Sequence, residues 1–504
     1  MLKNISKKEI RFTGKEDVVV LPVFERRLDL KGPGRKLDVL CRSGISSYLK
    51  RTKFKGEAGE TALVGFQLPK APGHVLVVGL GPEKSLTPGR IAAAGGSASK
   101  VLKSGKFSTC HALLDGNLEL DSGEDLVRAF LKGVALAQYA FSMKTARPSG
   151  GTLKKLVVLA DDTRRLPRII KNSRITTDSI AMARDLVNRP ANDLTPAGLA
   201  GEAKTVCEKY GLHCRVLGRT EMEKLGMGAI LGVAGGSRED PALVSIHYNK
   251  DLSAKTKCLK VCLVGKGVTF DSGGISLKPW QSMNEMKGDM AGGAVVLQGI
   301  AAAARLRSPI EIVGLIPCVE NMPDGSAIRP GDIVKTYSGK TIEVISTDAE
   351  GRLILADALT YALEWKPDLV IDIATLTGSV VVALGTRIAG AVGNDQKYIE
   401  RLIAAGNRTG ELVWQLPLDD SFKDMVKGEI SDLKNFSGRD GGTITAAALL
   451  SGFVGDTPWI HIDIAGTFWS QDGKVSYQPK GATGFGVDLI LRFLESLADD
   501  GKTG

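Results

Sequence analysis

The chain has 504 residues, 43% of them hydrophobic and 24% charged, which is ordinary for a soluble globular protein and long enough for two domains with cores of their own. Its charge-free stretches, such as residues 290–304, are too short or too polar to span a bilayer, so no membrane partner is expected. The net charge of +10 is uneven: residues 1–170 hold 30 Lys and Arg against 16 Asp and Glu, and residues 171–504 hold 36 against 40. That asymmetry argues for a domain boundary and allows an anionic partner for the first part.

In chain order, residues 1–11 carry Lys3, Lys7 and Lys8 but no apolar core, so a signal peptide is not expected. The N-terminal part predicts strands at 18–24, 62–67, 74–79 and 156–160 and helices at 90–103 and 124–140, an α/β alternation. Gly79-Leu-Gly81 follows a strand, but Pro82 comes next and the third glycine of a dinucleotide turn is missing. No run there pairs clustered arginines with aromatic residues as single-strand binders do, and a solvated basic surface is the plainer reading of the charge. A long helix at 168–187 then runs into Asn188, Pro190, Asn192 and Pro196, a concentration of residues that breaks regular structure. This divides the chain into an N-terminal domain (1–167), a connecting helix and linker (168–194) and a second domain (195–504).

The second domain alternates again, with strands expected at 243–248, 258–265, 311–318, 341–347, 369–374 and 459–464 and helices at 290–306, 353–365 and 484–498. Seven scattered cysteines contain no Cys-x-x-Cys; Cys258 and Cys262 read as core residues, and a reduced, cytoplasmic setting fits. The five histidines are isolated, and His461 reads as a strand residue. A metal site here is therefore expected to use other ligands.

Two stretches carry chemistry. Val264–Lys278 runs from an apolar strand into Lys266, then Asp271, a glycine pair and Lys278, and glycine permits close backbone approach. Ser346-Thr-Asp-Ala-Glu-Gly-Arg-Leu353 predicts strand, tight turn and helix, with Asp348 and Glu350 at the handover, Gly351 easing the turn and Arg352 alongside. Asp289 precedes a small-residue helix and is by itself an ordinary N-cap candidate. If Asp271, Asp289, Asp348 and Glu350 converge, some must protonate or cations must neutralise them, and two divalent ions match four carboxylates. The plain alternative is acids scattered over helix caps.

The stretch Ser346–Leu353 resembles the Asn-Thr-Asp-Ala-Glu-Gly-Arg-Leu signature of the leucyl aminopeptidase family. The likeness extends through Val264–Lys278, Met286–Asp289, Glu320-Asn-Met-Pro323, Arg329-Pro-Gly-Asp332, Ala374-Thr-Leu-Thr-Gly378 and Asp463-Ile-Ala-Gly466, essentially all of the second domain. The resemblance implies an α/β protein of two domains, the larger an α/β/α catalytic domain with a mixed central sheet. It implies a metal-dependent aminopeptidase acting on peptides with a free N-terminus, with leucine-like preference, two Mn²⁺ or Zn²⁺ ions and a homohexameric assembly. Position by position, Lys266, Asp271, Asp289, Asp348 and Glu350 match the metal ligands, with Lys266 neutral when it ligates. Lys278 matches the lysine that polarises the scissile carbonyl and stabilises the gem-diolate. Arg352 matches the arginine that holds a bicarbonate, the general base toward a bridging water. Met286, Thr375, Gly378, Ala465 and Phe468 fall at positions resembling the pocket for the first residue. Position 346 departs from the family, Ser standing for Asn. Some bacterial relatives add DNA binding, which the basic N-terminal part allows. Another two-metal hydrolase such as a phosphoesterase is disfavoured, because only Lys278 and Arg352 are spare cations.

Overall fold

The computed structural model describes residues 3–7, 16–26, 28–114, 123–145, 153–159, 164–250, 252, 256 and 258–500. Residues 1–2 and 8–11 of the N-terminal stretch, and Ala160, the expected end of the fourth strand, lie outside them. Contacts divide the chain into two compact units: residues 1–178 with 408–410 and 471–480, and the rest. The helix Leu166–Asn188 carries the chain across that division.

The first unit is built on a six-stranded sheet of β1 (Lys3–Lys7), β2 (Val18–Val23), β3 (Thr61–Gly65), β4 (His74–Gly79), β5 (Thr109–Leu113) and β6 (Lys155–Leu159), in the order β1-β6-β5-β2-β4-β3. Every pairing is parallel except β3 with β4. Parallel strands covered on both faces read as unbroken apolar runs, and all six residues of β2 are buried. The helices Gly32–Leu40 and Gly44–Arg51 close one face with Leu37, Ile45 and Leu49 against Val19, Leu21 and Val77. β1 and β5 were not legible as strands, since Lys3–Lys7 is polar and Thr109–Leu113 is short and contains His111.

The second unit holds a nine-stranded mixed sheet. Its strands are β7 (His213–Leu217), β8 (Ala242–Tyr248), β9 (Lys260–Gly265), β10 (Gly267–Asp271), β11 (Glu311–Asn321), β14 (Leu369–Ala374), β15 (Ile388–Gly393), β16 (Leu412–Gln415) and β18 (Trp459–Asp463). The order is β16-β15-β18-β14-β9-β11-β8-β7, with β10 paired to the far end of β11. β14, β9 and β11 run parallel at the centre, while β8 and β15 are antiparallel to their inner neighbours. The helix Ala291–Leu306, buried from Ala291 to Ala303, covers one face, and Gly351–Ala362 with Gly442–Ser451 covers the other. The protein is thus α/β, with two domains and a mixed central sheet in the larger.

Two expectations need correction. Cys262 is buried in β9, but Cys258 is only half-buried and precedes that strand. The strand expected at 341–347 stops at Glu343: β13 (Thr341–Glu343) belongs to a separate three-stranded sheet with β12 (Ile333–Lys335) and β17 (Leu433–Lys434). Val344 still pairs through its backbone with Gly331 and Asp332, and from Ile345 onward side chains take over.

Candidate metal centre

The central strands end on one side of the sheet, and the chemical residues follow them. Lys266 comes directly after β9, and Asp271 ends β10 beside Asn321 at the end of β11. Asp348 sits in the loop after β13, and Glu350 immediately precedes the helix Gly351–Ala362. Asp271, Asp348 and Glu350 each offer an oxygen, and these atoms lie within 4.8 Å of one another. Asp289 joins them through Lys266, whose Nζ is 2.8 Å from both Asp289 Oδ2 and Glu350 Oε1. Lys278 Nζ is 2.6 Å from Asp271 Oδ2 and in close contact with Asp348 Oδ1. All the acids singled out in the sequence therefore meet in one cluster with both lysines.

Local contacts explain the aim of each group. Asp271 Oδ1 accepts from Gly273 N at 2.9 Å and from Asn321 Nδ2 at 2.8 Å, which leaves Oδ2 for Lys278. Asp289 does not cap the following helix; Thr375 Oγ1 donates to its Oδ1 at 2.6 Å, and its buried Oδ2 is taken by Lys266 Nζ at 2.8 Å. Gly273 and Gly274 have φ of +90° and +67°, and a Cβ on Gly273 would lie 2.9 Å from Asp348 Oδ1. Gly351 does not ease a turn. It is the first helical residue, and a Cβ there would lie 2.8 Å from Lys266 Nζ, so its smallness makes room for the lysine.

Sequence reasoning missed the residues that hold these loops. Thr347, fully buried, donates to Gly273 O and exchanges hydrogen bonds with Ser276. Asn435, also fully buried, bonds the backbone of 345, 346 and 349. Asn321 lay inside a recognised stretch without a role, and Asn435 is a lone amide about 90 residues from the loop it holds with no local pattern to flag it.

Crowding shows in the titration of the cluster. Burial raises the carboxyls of Asp289, Glu350 and Asp348, the first well above its usual value, and neighbouring Asp271 adds to each, with the lysines opposing. Burial alone would lower Lys266 and Lys278, but the surrounding carboxylates outweigh it and hold both above the usual lysine value. Arg352 is lowered to about 10 by burial, against Glu350 and Asp463. Its Nη1 donates to Asn435 O at 2.8 Å, while its Nε is buried without a partner. Oxygen-rich, mutually repelling carboxylates fit divalent cations, and an unsatisfied guanidinium donor fits a small anion.

Residues 181–491 match the family model described as cytosol aminopeptidase family, catalytic domain, and residues 20–145 match that of its N-terminal domain. The chain belongs to the cytosol aminopeptidase family. A probable cytosol aminopeptidase of Geobacter sulfurreducens is 41% identical over 468 residues, 92% of each chain. One of Azotobacter vinelandii is 41% identical over 488 residues, 96% of this chain and 97% of that one. Among solved structures, a mutant of tomato leucine aminopeptidase matches with a TM-score of 0.88 at 31% identity, covering 98% of this chain and 96% of that one. The bottromycin maturation enzyme BotP in complex with Mn matches at 0.84 and 33%, covering 96% and 99%. The protein is a hydrolase, an aminopeptidase of a metal-dependent family.

Of the five residues expected to line a side-chain pocket in this aminopeptidase, Thr375 meets the cluster directly. Thr375 is buried and touches both Asp289 and Lys266, its carbonyl accepting from Lys266 Nζ at 3.0 Å. Half-buried Met286 lies in the turn Met283–Gly288, and a Cβ on Gly288 would sit 2.6 Å from the Phe468 ring. Ala465 N and Leu376 N share Asp463 Oδ1, which ties Ala465 to the loop leading to exposed Gly378. His461 stays apart, buried in β18 against Asp372. No helix among the described residues is long and apolar enough to cross a membrane.

Proposed function

We propose that this aminopeptidase removes leucine-like N-terminal residues from peptides with a free amino group, at a centre of two divalent ions, Mn²⁺ or Zn²⁺. Lys266, Asp271, Asp289, Asp348 and Glu350 are its ligands, and the convergence of three carboxylates within 4.8 Å is the observation that carries the reading. The likeness to BotP, solved in complex with Mn, supports manganese. When bound, such a pair of ions polarises a water and a carbonyl oxygen as Lewis acids.

The chain's own groups do the rest. Lys278, partly exposed and held by Asp271 and Asp348, presents its ammonium at the rim of the cluster, where it donates to a scissile carbonyl oxygen as negative charge builds there. Arg352 offers its free Nε to a bicarbonate, which serves as general base in a site where His461 is committed to Asp372. Thr375 fixes the orientation of Asp289. Met286, Thr375, Gly378, Ala465 and Phe468 border the space for the first side chain. Homohexameric assembly, which the family resemblance implies, and a cytoplasmic setting, which the scattered cysteines suit, complete the proposal.

The test is release of a chromophore from leucine anilide by metal-stripped protein, before and after adding Mn²⁺ or Zn²⁺, beside N-acetylated leucine anilide. Metal-restored cleavage of the free amine alone is the expected result; no cleavage under either metal refutes the reading.

One observation favours a second role, binding of an anionic polymer such as DNA by the first unit. Eight lysines and arginines between Lys31 and Lys55 are exposed, while the one acid of that stretch, Asp38, is buried and bonded to Ile45 N and Ser46 N. Affinity for duplex DNA that falls steeply with salt is the expected signature.

A further inference from the structure

The loop that carries Asp348 and Glu350 has left its sheet. Backbone donors and acceptors at 345–349 still need partners, because buried peptide groups left unpaired cost free energy. Asn435 supplies several of them. Its Oδ1 accepts from Ile345 N at 2.7 Å and Ser346 N at 3.2 Å, and its Nδ2 donates to Ser346 O at 2.6 Å and Ala349 O at 3.3 Å. Its own N–H donates to Glu343 O at 2.9 Å, and its carbonyl accepts from Arg352 Nη1 at 2.8 Å. One fully buried residue thus uses its backbone and side-chain polar groups on a single ten-residue segment, 343–352. The amide acts as a substitute peptide group, continuing for that loop the pairing that β13 gives up.

We propose that Asn435 is a positioning residue of the metal centre, fixing the spacing of Asp348, Glu350 and Arg352 without touching a ligand oxygen. Ala349, between the two acids, is bonded on its carbonyl, and Ser346 is bonded on both faces of its peptide, so Asp348 and Glu350 leave a backbone held on either side. Arg352 is anchored by the same residue's carbonyl, which links the guanidinium to the carboxylates through one fixed point. The inference rests on the metal-centre reading above and adds to it a residue outside the family motifs found in the sequence.

The experiment uses full-length Asn435→Ala and Asn435→Asp, the latter keeping the acceptor and turning the donor into a second acceptor. Mn²⁺ affinity is read from the electron paramagnetic resonance signal of free Mn²⁺ titrated against metal-stripped protein, with thermal midpoint, kcat and KM for leucine anilide measured in parallel. Both variants should bind Mn²⁺ about 10–100-fold more weakly, as loss of an outer partner of a metal ligand does, and kcat should fall while KM changes little. A lowered thermal midpoint with Mn²⁺ affinity and kcat unchanged would reduce Asn435 to a structural residue and overturn the inference. Should Asn435→Ala not fold, the isosteric Asn435→Asp decides by the same readings. Wild-type protein that binds neither Mn²⁺ nor Zn²⁺ refutes the metal-centre reading itself, and the role of Asn435 with it.

Discussion

Ser276 and Thr347 hold each other reciprocally: Ser276 N donates to Thr347 Oγ1 at 2.8 Å, and Thr347 N donates to Ser276 Oγ at 3.1 Å. Ser276 lies two residues before Lys278 and Thr347 one before Asp348, so the exchange locks the lysine's loop to the carboxylate's loop. Thr347 Oγ1 also donates to Gly273 O at 2.6 Å. Thr347→Ala leaves buried polar groups unpaired and should cost about 1–3 kcal/mol in urea unfolding. Thr347→Ser keeps the hydroxyl and should recover most of the loss in stability and in turnover of leucine anilide.

Asp348→Ala removes one of the three converging carboxylates. Metal content after dialysis, read by elemental analysis, should drop below that of wild type, and activity should fall by more than about 100-fold, beyond the range for outer partners. Full metal content and activity would remove Asp348 from the centre.

Lys278 is held by Asp271 and Asp348 with its ammonium at the rim. Lys278→Met should lower kcat by about 10²–10³, the usual cost of losing a donor to a developing oxyanion, with KM little changed. A rise in KM alone would assign Lys278 to ground-state binding.

Ser346 stands where the family resemblance expects asparagine. Ser346 Oγ accepts from Asp348 N at 3.3 Å, a long bond, whereas the backbone of Ser346 is gripped by Asn435 on both sides. Ser346→Ala should therefore change kcat/KM by less than about fivefold, the worth of one weak hydrogen bond. A larger loss would mean that the hydroxyl, and not Asn435, holds the loop.

His461 and Asp372 form a fully buried pair at 2.6 Å, with Trp459 Nε1 on the other carboxylate oxygen at 2.7 Å. Burial lowers the imidazolium, but Asp372 outweighs it, Asp463 adds and Arg352 opposes, and the net pKa is raised. A raised folded-state value means that the pair's contribution is complete below the unfolded pKa of about 6.5 and is lost as pH rises through the folded one. The stability gap between wild type and Asp372→Asn should thus be widest at low pH and narrow above about 6.5. A gap that stays constant from acid to alkaline pH would show that His461 gains no proton on folding.

Much of the fold was legible because apolar runs report burial directly. Residues 74–79 and 369–374 were read to the residue, since both strands lie inside their sheets and are apolar apart from His74 and Asp372. Polar edge strand β1 carried no such signal, and the run 341–347 looked like one strand because β-branched residues favour extended backbone whether or not a partner lies alongside. Lys266, Asp271, Asp289, Asp348, Glu350, Lys278 and Arg352 were singled out from spacing and from family likeness. Their supports were not, because a hydrogen bond from Asn435 to residue 346 spans 89 positions and leaves no local pattern.

By itself the sequence determined which residues are chemical, the alternation of strands and helices, and the family, since these depend on residue type and short-range order. Only the tertiary structure decided that the four acids share one cluster with both lysines, that Gly351 serves Lys266 and not a turn, and that Asn435 and Thr347 clamp the ligand loop. The physical reason is range: side-chain chemistry and periodicity act over a few residues, whereas electrostatic crowding and buried hydrogen-bond satisfaction are settled between segments that only folding brings together.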